Sequence, residues 1–295
     1  MYDSQSGRWI RKPGARGVLV HDVSPLGWPA TIDDAKKRAE ALAGILAARP
    51  DSVELYPNAA QEPEVRKVLA AAKDEGSETV VVQRVTSPAT LADAVANRAI
   101  VDEVSVAVPV FPHDSPALQG NAQALAQMVR TAAAALAAEA HSANIPARGA
   151  ILGAFEPSCH MDAAAAAAAF ADVGCQTIVL HEGRPASDQV PAPGEVDDDD
   201  VRTCAEEVCG MDVEGELMSE RVVIAAKSGS AWATTNATLG VMQLAVGDGA
   251  GASNDDASAA APGDALEGSA DQLTDDARDT VQRLMDARRI VTRMS

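Results

Sequence analysis

The sequence has few basic residues, few cysteines and no long hydrophobic segment, and each shortage argues against a class of protein. Its 24 lysines and arginines stand against 43 aspartates and glutamates, a formal net charge of −19. Such a chain repels phosphate backbones, so we expect no nucleic-acid binding through a broad basic patch. No apolar run approaches the ~20 residues of a membrane-spanning helix, so we expect no membrane insertion. Four cysteines do not make a disulfide scaffold, which predicts thiols in a reducing compartment.

The order of short and long apolar patterns predicts an α/β barrel. A chain of 295 residues could form two domains, but α/β barrels of this length commonly form one. Short β-branched runs alternate with longer helical segments, which is typical of strand and helix units on a parallel sheet. Seven strands are predicted at 18–23, 52–56, 79–83, 103–108, 147–152, 177–180 and 221–226. Helices are predicted at 32–48, 63–75, 89–97, 122–141, 163–173, 201–209 and 232–246.

An eighth strand is needed to close such a barrel. The candidate at 256–261 is rich in alanine and serine, so we expect a missing or degraded strand there, followed by a helix at 269–291. We predict a tail at 1–16 and one barrel domain over 17–295. Acidic loops are expected near 186–200 and 248–264, where the composition predicts solvated chain.

Two helix ends can be assigned from single residues. Thr31 is expected to cap a helix that begins at Ile32, because its hydroxyl can accept a hydrogen bond from the first turn. Gly174 is expected to terminate the helix at 163–173 in the left-handed conformation.

Two motifs resemble those of a known enzyme family. Residues 141–149 read His-Ser-Ala-Asn-Ile-Pro-Ala-Arg-Gly, and a helix ending Phe-Ala-Asp-Val-Gly-Cys at 170–175 leads into the next strand. Both resemble segments of hydroxymethylglutaryl-CoA lyases, and the likeness extends over about Gly17 to Gly263. The resemblance implies a (β/α)8 TIM barrel with chemistry at the carboxyl ends of the strands. It also implies cleavage of 3-hydroxy-3-methylglutaryl-CoA with a divalent cation and an enolate-stabilising arginine.

Several positions that the family uses for catalysis carry other residues here. The family's Arg-Asp pair after strand one falls on Leu26 and Gly27, which can neither stabilise an enolate nor ligate a metal. Its pair of metal-binding histidines after strand seven falls on Ser228 and Ser230 when the alignment is anchored on 232–247. The family's catalytic cysteine has no counterpart after strand eight. The resemblance therefore implies a metal site that has lost most of its ligands.

Other features of a pocket remain. Carboxylates stay at or near four positions of the implied site: Asp22, Glu54, Glu182 and Asp264. Without a metal they would accept hydrogen bonds in a remnant pocket. Trp28 and Trp232 follow strands one and seven, where an indole can fill the vacated space.

We therefore expect a catalytically inactive lyase-like protein, a pseudoenzyme, that acts as a structural subunit in a larger protein complex. We expect no catalytic residues and no cofactor. Because the resembled enzyme lies in the mitochondrial matrix of eukaryotes, we expect that location, and otherwise the cytoplasm. One alternative is a diverged carbon–carbon lyase or aldolase acting on an acyl-CoA or 2-oxo acid, with the four carboxylates around Mg²⁺ or Mn²⁺. Another is an acyl-CoA binding module that uses Arg184 and Lys227.

Overall fold

The computed structural model describes residues 2–3, 8–9, 18–110, 121–181, 200, 203–204, 207–208, 212–213, 216–217, 222–227, 241–246 and 283. Eight of its strands form a closed barrel in which all neighbours are parallel. They are β1 (Val18–Asp22), β2 (Ser52–Leu55), β3 (Val80–Val85), β4 (Glu103–Pro109), β5 (Ala147–Leu152), β6 (Thr177–His181), β7 (Val222–Lys227) and β8 (Val241–Val246). The predicted TIM-barrel fold is confirmed.

Five helices alternate with the first six strands. They are α1 (Ala35–Ala48), α2 (Pro63–Asp74), α3 (Pro88–Ala96), α4 (Ala122–Ser142) and α5 (His160–Asp172). The five helices predicted in this part of the chain are confirmed, with ends that agree to within one turn. No helix in the described ranges is long and apolar enough to cross a membrane.

The eighth strand lies earlier in the chain than the sequence predicts. Val241–Val246 pairs with β7 on one side and with β1 on the other, so it closes the ring. The prediction of a helix through 246 and of a degraded closing strand is wrong. The segment has five apolar residues and one glutamine, and it fits a strand and a helix equally well, because neither periodicity is visible in so short a run. The strand predicted at 256–261 lies outside the described residues.

The start of α1 also differs from the prediction. Asp34, rather than Thr31, is the capping residue, and its Oδ1 accepts a hydrogen bond from the Lys36 backbone N–H at 2.8 Å. Thr31 ends a separate helical turn that begins at Trp28. At the other end of the helical series, Gly174 follows α5 with a φ of +96°, so its predicted role as a left-handed terminator is confirmed.

The core lies between the barrel and its helices. Alternate side chains of β2 to β6 point outward, and these outward residues join one buried apolar cluster with the helices. Val53, Val81, Val104, Ile151 and Leu180 represent five successive strands in that cluster. The intervening residues of the same strands face the barrel interior.

Gly149 is required by the packing of α5 on β5. A Cβ built on Gly149 would lie 2.3 Å from Cδ2 of Phe170, a fully buried side chain of α5. We therefore expect Gly149→Ala to destabilise the protein by about 1–3 kcal/mol through overpacking. Urea unfolding measures the change, and the double variant Gly149→Ala/Phe170→Leu should recover part of the loss. If Gly149→Ala unfolds at the wild-type urea concentration, this close packing is wrong.

Candidate site in the barrel interior

The barrel interior is unusually polar. TIM-barrel interiors are usually filled by branched apolar side chains. Here the positions that face inward on β1 to β5 include several buried polar or charged residues, each at most 7% exposed as a whole residue: His21, Ser52, Glu54, Arg84, Glu103, Ser105 and Arg148. The strand registers place them side by side, since His21 pairs with Ser52 and Ser105 pairs with both Arg84 and Arg148.

Glu54 is the centre of this network. Its Oε1 accepts a hydrogen bond from Nε of Arg84 at 2.6 Å, and its Oε2 lies 3.3 Å from Nε2 of His21. Burial acts to raise the pKa of Glu54, but the Arg84 charge and the hydrogen bond from His21 outweigh it. They hold the pKa of this carboxyl well below its ordinary value. Glu54 is therefore ionised at neutral pH, and both of its oxygens are engaged.

His21 is held in one tautomer by its two neighbours. Burial lowers the pKa of His21, so the imidazole is neutral at neutral pH. Because an ionised carboxylate can only accept, Nε2 carries the proton and donates to Glu54. Nδ1 is then the acceptor, and the Ser52 hydroxyl, 2.7 Å away, donates to it. Both ring nitrogens of His21 are used.

The order serine, histidine, carboxylate is also that of a nucleophilic triad, but this arrangement is closed to substrate. Ser52 is the first residue of β2, at the amino end of the strand, and is fully buried. Barrel enzymes carry their chemistry at the opposite, carboxyl end. The hydrogen bonds therefore connect three neighbouring side chains and do not activate an accessible hydroxyl.

A second ion pair lies in the interior near the amino ends of β4 and β5. Nη2 of Arg148 lies 2.5 Å from Oε2 of Glu103, and both side chains are at most 1% exposed. Arg148 also acts electrostatically on His21 and disfavours its protonation. The two ion pairs therefore form one electrostatic network.

His181 is the last residue of β6 and lies at the carboxyl end of the barrel. Burial lowers the pKa of His181 to about 3. The Glu54 charge acts to raise this pKa, while Arg84, His21 and Arg148 act with burial to lower it. The side chain is therefore a neutral imidazole near the barrel mouth. It is partly exposed, unlike His21.

The two interior histidines predict a loss of stability in mild acid. Each has a pKa below the ordinary 6.5 when folded, so the unfolded chain takes up protons first as the pH falls below that value. The free energy of unfolding should then decrease by at most about 1.4 kcal/mol per pH unit for each histidine, and by less for the partly exposed His181. For His181 this loss continues down to about pH 3.

Urea unfolding at about pH 6.5 and about pH 5 measures this dependence above the range in which ordinary carboxylates titrate. His181→Gln has no group that titrates there, so we expect its stability to depend less steeply on pH than that of the wild type. Equal slopes for the two proteins would contradict this assignment.

The structure separates the residues expected in a remnant pocket. Glu54 faces the interior, whereas Asp22 pairs in register with Val53, a residue of the outer core, and so lies on the other face of the sheet. Trp28 is buried in the apolar core cluster, while Leu26 is half-buried and Gly27 is exposed. Five further positions lie outside the described residues: Glu182, Asp264, Trp232, Ser228 and Ser230.

Most of the interior network was missed in the sequence, although a signal was present. On β4, Glu103 and Ser105 alternate with valines, and on β2, Ser52 and Glu54 alternate with Val53 and Leu55. A strand buried on both faces usually reads as a continuous apolar run. Polar residues at every second position of such strands indicate a polar barrel interior.

The described residues do not fit the divalent cation that the lyase resemblance implies. Glu54 has both oxygens engaged and lies beside a guanidinium, and His21 has no nitrogen left for a metal. Within the described ranges, no group of three histidine, cysteine, aspartate or glutamate side chains is arranged to hold a metal ion.

Comparisons with known proteins support the fold alone. No protein-family model matches the chain, and no curated protein matches it. Among solved structures, it resembles the carboxyl transferase domain of Rhizobium etli pyruvate carboxylase with pyruvate, at 12% identity and a TM-score of 0.53. The match covers 94% of this chain but 47% of the other, so the chain spans about half of that protein's length.

Two further matches have lower TM-scores. A candidate fructose-1,6-biphosphate aldolase from Coccidioides immitis matches at 14% identity, 92% and 90% coverage and a TM-score of 0.47. The type I 3-dehydroquinate dehydratase of Clostridium difficile matches at 11% identity, 79% and 87% coverage and a TM-score of 0.46. The similarity to the carboxyl transferase domain, at 12% identity, agrees with the closed parallel barrel and supports the fold alone.

Proposed function

We propose that this protein is a non-catalytic TIM barrel that acts as a structural subunit of a larger protein assembly. One observation carries the first half of the proposal: Glu54, the carboxylate at a family-like position on β2, is ion-paired with Arg84 at 2.6 Å and hydrogen-bonded to His21. A guanidinium in direct contact repels a metal cation and neutralises the carboxylate that would bind it. The positive charge of Arg84 therefore already balances the negative charge of Glu54.

The residues that resemble the lyases have structural roles here, which also supports this proposal. Asn144 adopts the left-handed conformation just after α4, with a φ of 58°. Arg148 forms the ion pair with Glu103, and Gly149 makes room for Phe170. The motif therefore describes how a barrel of this kind is built, and it does not by itself imply the reaction.

Two exposed methionines support the second half of the proposal. Met128 on α4 and Met161 on α5 are 62% and 71% exposed. They are the most exposed large apolar side chains among the described residues. An ion pair between Arg130 and Asp162, at 3.7 Å, joins the same two helices. Exposed methionines are common at protein interfaces, because the flexible thioether adapts to a partner. We propose the mitochondrial matrix as the location on the basis of the resemblance.

Metal analysis of the purified full chain tests the absence of metal-dependent catalysis. We expect far less than one equivalent of Mg, Mn or Zn per chain after gel filtration, and no cleavage of 3-hydroxy-3-methylglutaryl-CoA on adding excess Mg²⁺ or Mn²⁺. About one tightly bound divalent ion per chain, with turnover that depends on it, would instead establish the metal-dependent lyase or aldolase.

Size analysis in the source tissue or cell tests the proposed subunit role. The chain has a mass of 30.4 kDa, and we expect the native protein to sediment as part of a much larger particle. The double variant Met128→Lys/Met161→Lys should shift the protein toward the mass of a single chain, because two charges cannot be buried unpaired in an interface. The matched control Gln123→Lys/Gln127→Lys changes exposed polar positions of α4. Sedimentation of the wild type as a lone chain would contradict the assembly.

A further inference from the structure

Arg84 has donor groups that the interior network does not use. Among the described residues, the structure gives it one hydrogen-bond partner, Glu54, reached through Nε. The two terminal amino groups are not among the fully buried atoms, although the side chain as a whole is only 9% exposed. Arg84 is the penultimate residue of β3, so the side chain that carries these groups begins near the carboxyl end of the barrel. They are N–H donors without a protein acceptor in the described part of the chain.

Two further polar groups accompany Arg84. Ser105 pairs with it in register on the neighbouring strand, and its Oγ is buried with no hydrogen-bond partner among the described residues. His181, at the end of β6, interacts electrostatically with both Arg84 and Glu54. Buried hydroxyls are rarely left without a partner, since the lost hydration costs free energy. An unpaired hydroxyl beside a guanidinium edge indicates that something else binds there.

The remaining N–H donors of Arg84 indicate which chemical group a ligand would need in order to bind there. Glu54 uses the Nε side of the guanidinium, which leaves the edge formed by Nη1 and Nη2. That edge matches the two oxygens of a carboxylate in bidentate geometry. The charges of Arg84 and Arg148 are already balanced by Glu54 and Glu103, so a ligand with one negative charge is repelled less than a dianion.

We propose that the barrel interior beside Arg84, between Ser105 and the carboxyl end of the barrel, is a binding site for a small monocarboxylate. Its carboxylate is held by the terminal amino groups of Arg84, with Ser105 and His181 as additional hydrogen-bonding groups. This site requires no turnover and no metal, so its existence is independent of the proposed non-catalytic role.

Binding of acetate to the full-length protein tests the site, with acetamide as a neutral probe of the same size. Saturation-transfer NMR on the methyl signals, at constant ionic strength, is expected to give an acetate Kd of roughly 1–10 mM and no binding of acetamide. Inorganic phosphate, as a competitor, should displace acetate weakly. Equal binding of acetate and acetamide, no acetate binding at 50 mM, or tighter binding of phosphate than of acetate would each overturn the proposal.

Two variants locate the binding. Arg84→Lys keeps a positive charge beside Glu54 but loses the pair of N–H donors that binds both carboxylate oxygens. It should therefore weaken acetate binding by about tenfold. Ser105→Ala removes a hydroxyl for which the described part of the chain offers no partner, so it should fold normally and weaken binding by about threefold. The control Lys67→Ala removes an exposed charge on α2 and should bind acetate like the wild type. Wild-type affinity in Ser105→Ala and in a folded Arg84→Lys would place acetate elsewhere and refute the site.

Discussion

Replacing Glu54 with glutamine is expected to lower the free energy of unfolding by about 3–5 kcal/mol, because it leaves a buried guanidinium without a counter-charge. The Arg84 and Glu54 side chains are only 9% and 1% exposed, so solvent compensates little for the lost partner. The glutamine carbonyl can still accept from His21, but its amide then directs donors toward Arg84. Urea unfolding followed by circular dichroism measures the change.

A pair on the surface provides the control for Glu54→Gln. Glu64 and Lys67 lie 3.0 Å apart on α2, but their side chains are 46% and 71% exposed, so Glu64→Gln should change stability by at most about 0.5 kcal/mol. The double variant Glu54→Met/Arg84→Met removes both interior charges and should be more stable than Glu54→Gln. If Glu54→Gln costs no more than Glu64→Gln, the interior ion pair does not form.

The second large effect is expected from Arg148→Met, again about 3–5 kcal/mol of destabilisation. This change leaves the Glu103 carboxylate without its ion-pair partner, in a position where both side chains are at most 1% exposed. Methionine fills a similar volume, so lost packing contributes little to the cost. Thermal and urea unfolding should both show the loss.

An exposed arginine serves as the matched control for Arg148→Met. Arg98→Met makes the same chemical change after α3 and should alter stability by no more than about 0.5 kcal/mol. Adding Glu103→Leu to Arg148→Met should restore stability, because the uncompensated charge is then removed. A double variant less stable than Arg148→Met would mean that the cost comes from packing instead of charge.

The local sequence predicts the order of elements because each signal lies within a few residues. The β-branched runs that become β1 to β7 and the apolar periodicity of α1 to α5 need no distant contact to be recognised. Gly174 likewise identifies the end of α5 from one residue, since φ is +96° there. The motif at 141–149 is the sequence feature that predicts a barrel. Its residues have structural roles in the turn and strand that follow α4.

The pairing across strands could not be predicted in the same way. Glu54 and Arg84 are 30 positions apart, and Arg148 and Glu103 are 45 apart. The alternation of a strand separates its residues onto two faces but does not say which face is the barrel interior. Asp22 and Glu54 illustrate the difficulty, since both are acidic residues near strand ends, yet the register puts them on opposite faces of the sheet.

The sequence alone therefore determined the α/β class and most element boundaries. The tertiary structure decided two other matters. Barrel closure depends on β8, whose apolar run becomes a strand because β7 and β1 both offer hydrogen-bonding edges to it. The interior chemistry depends on which side chains meet after closure, and the buried charges are held there by partners far away in the chain, in a place where water cannot compensate for a missing one.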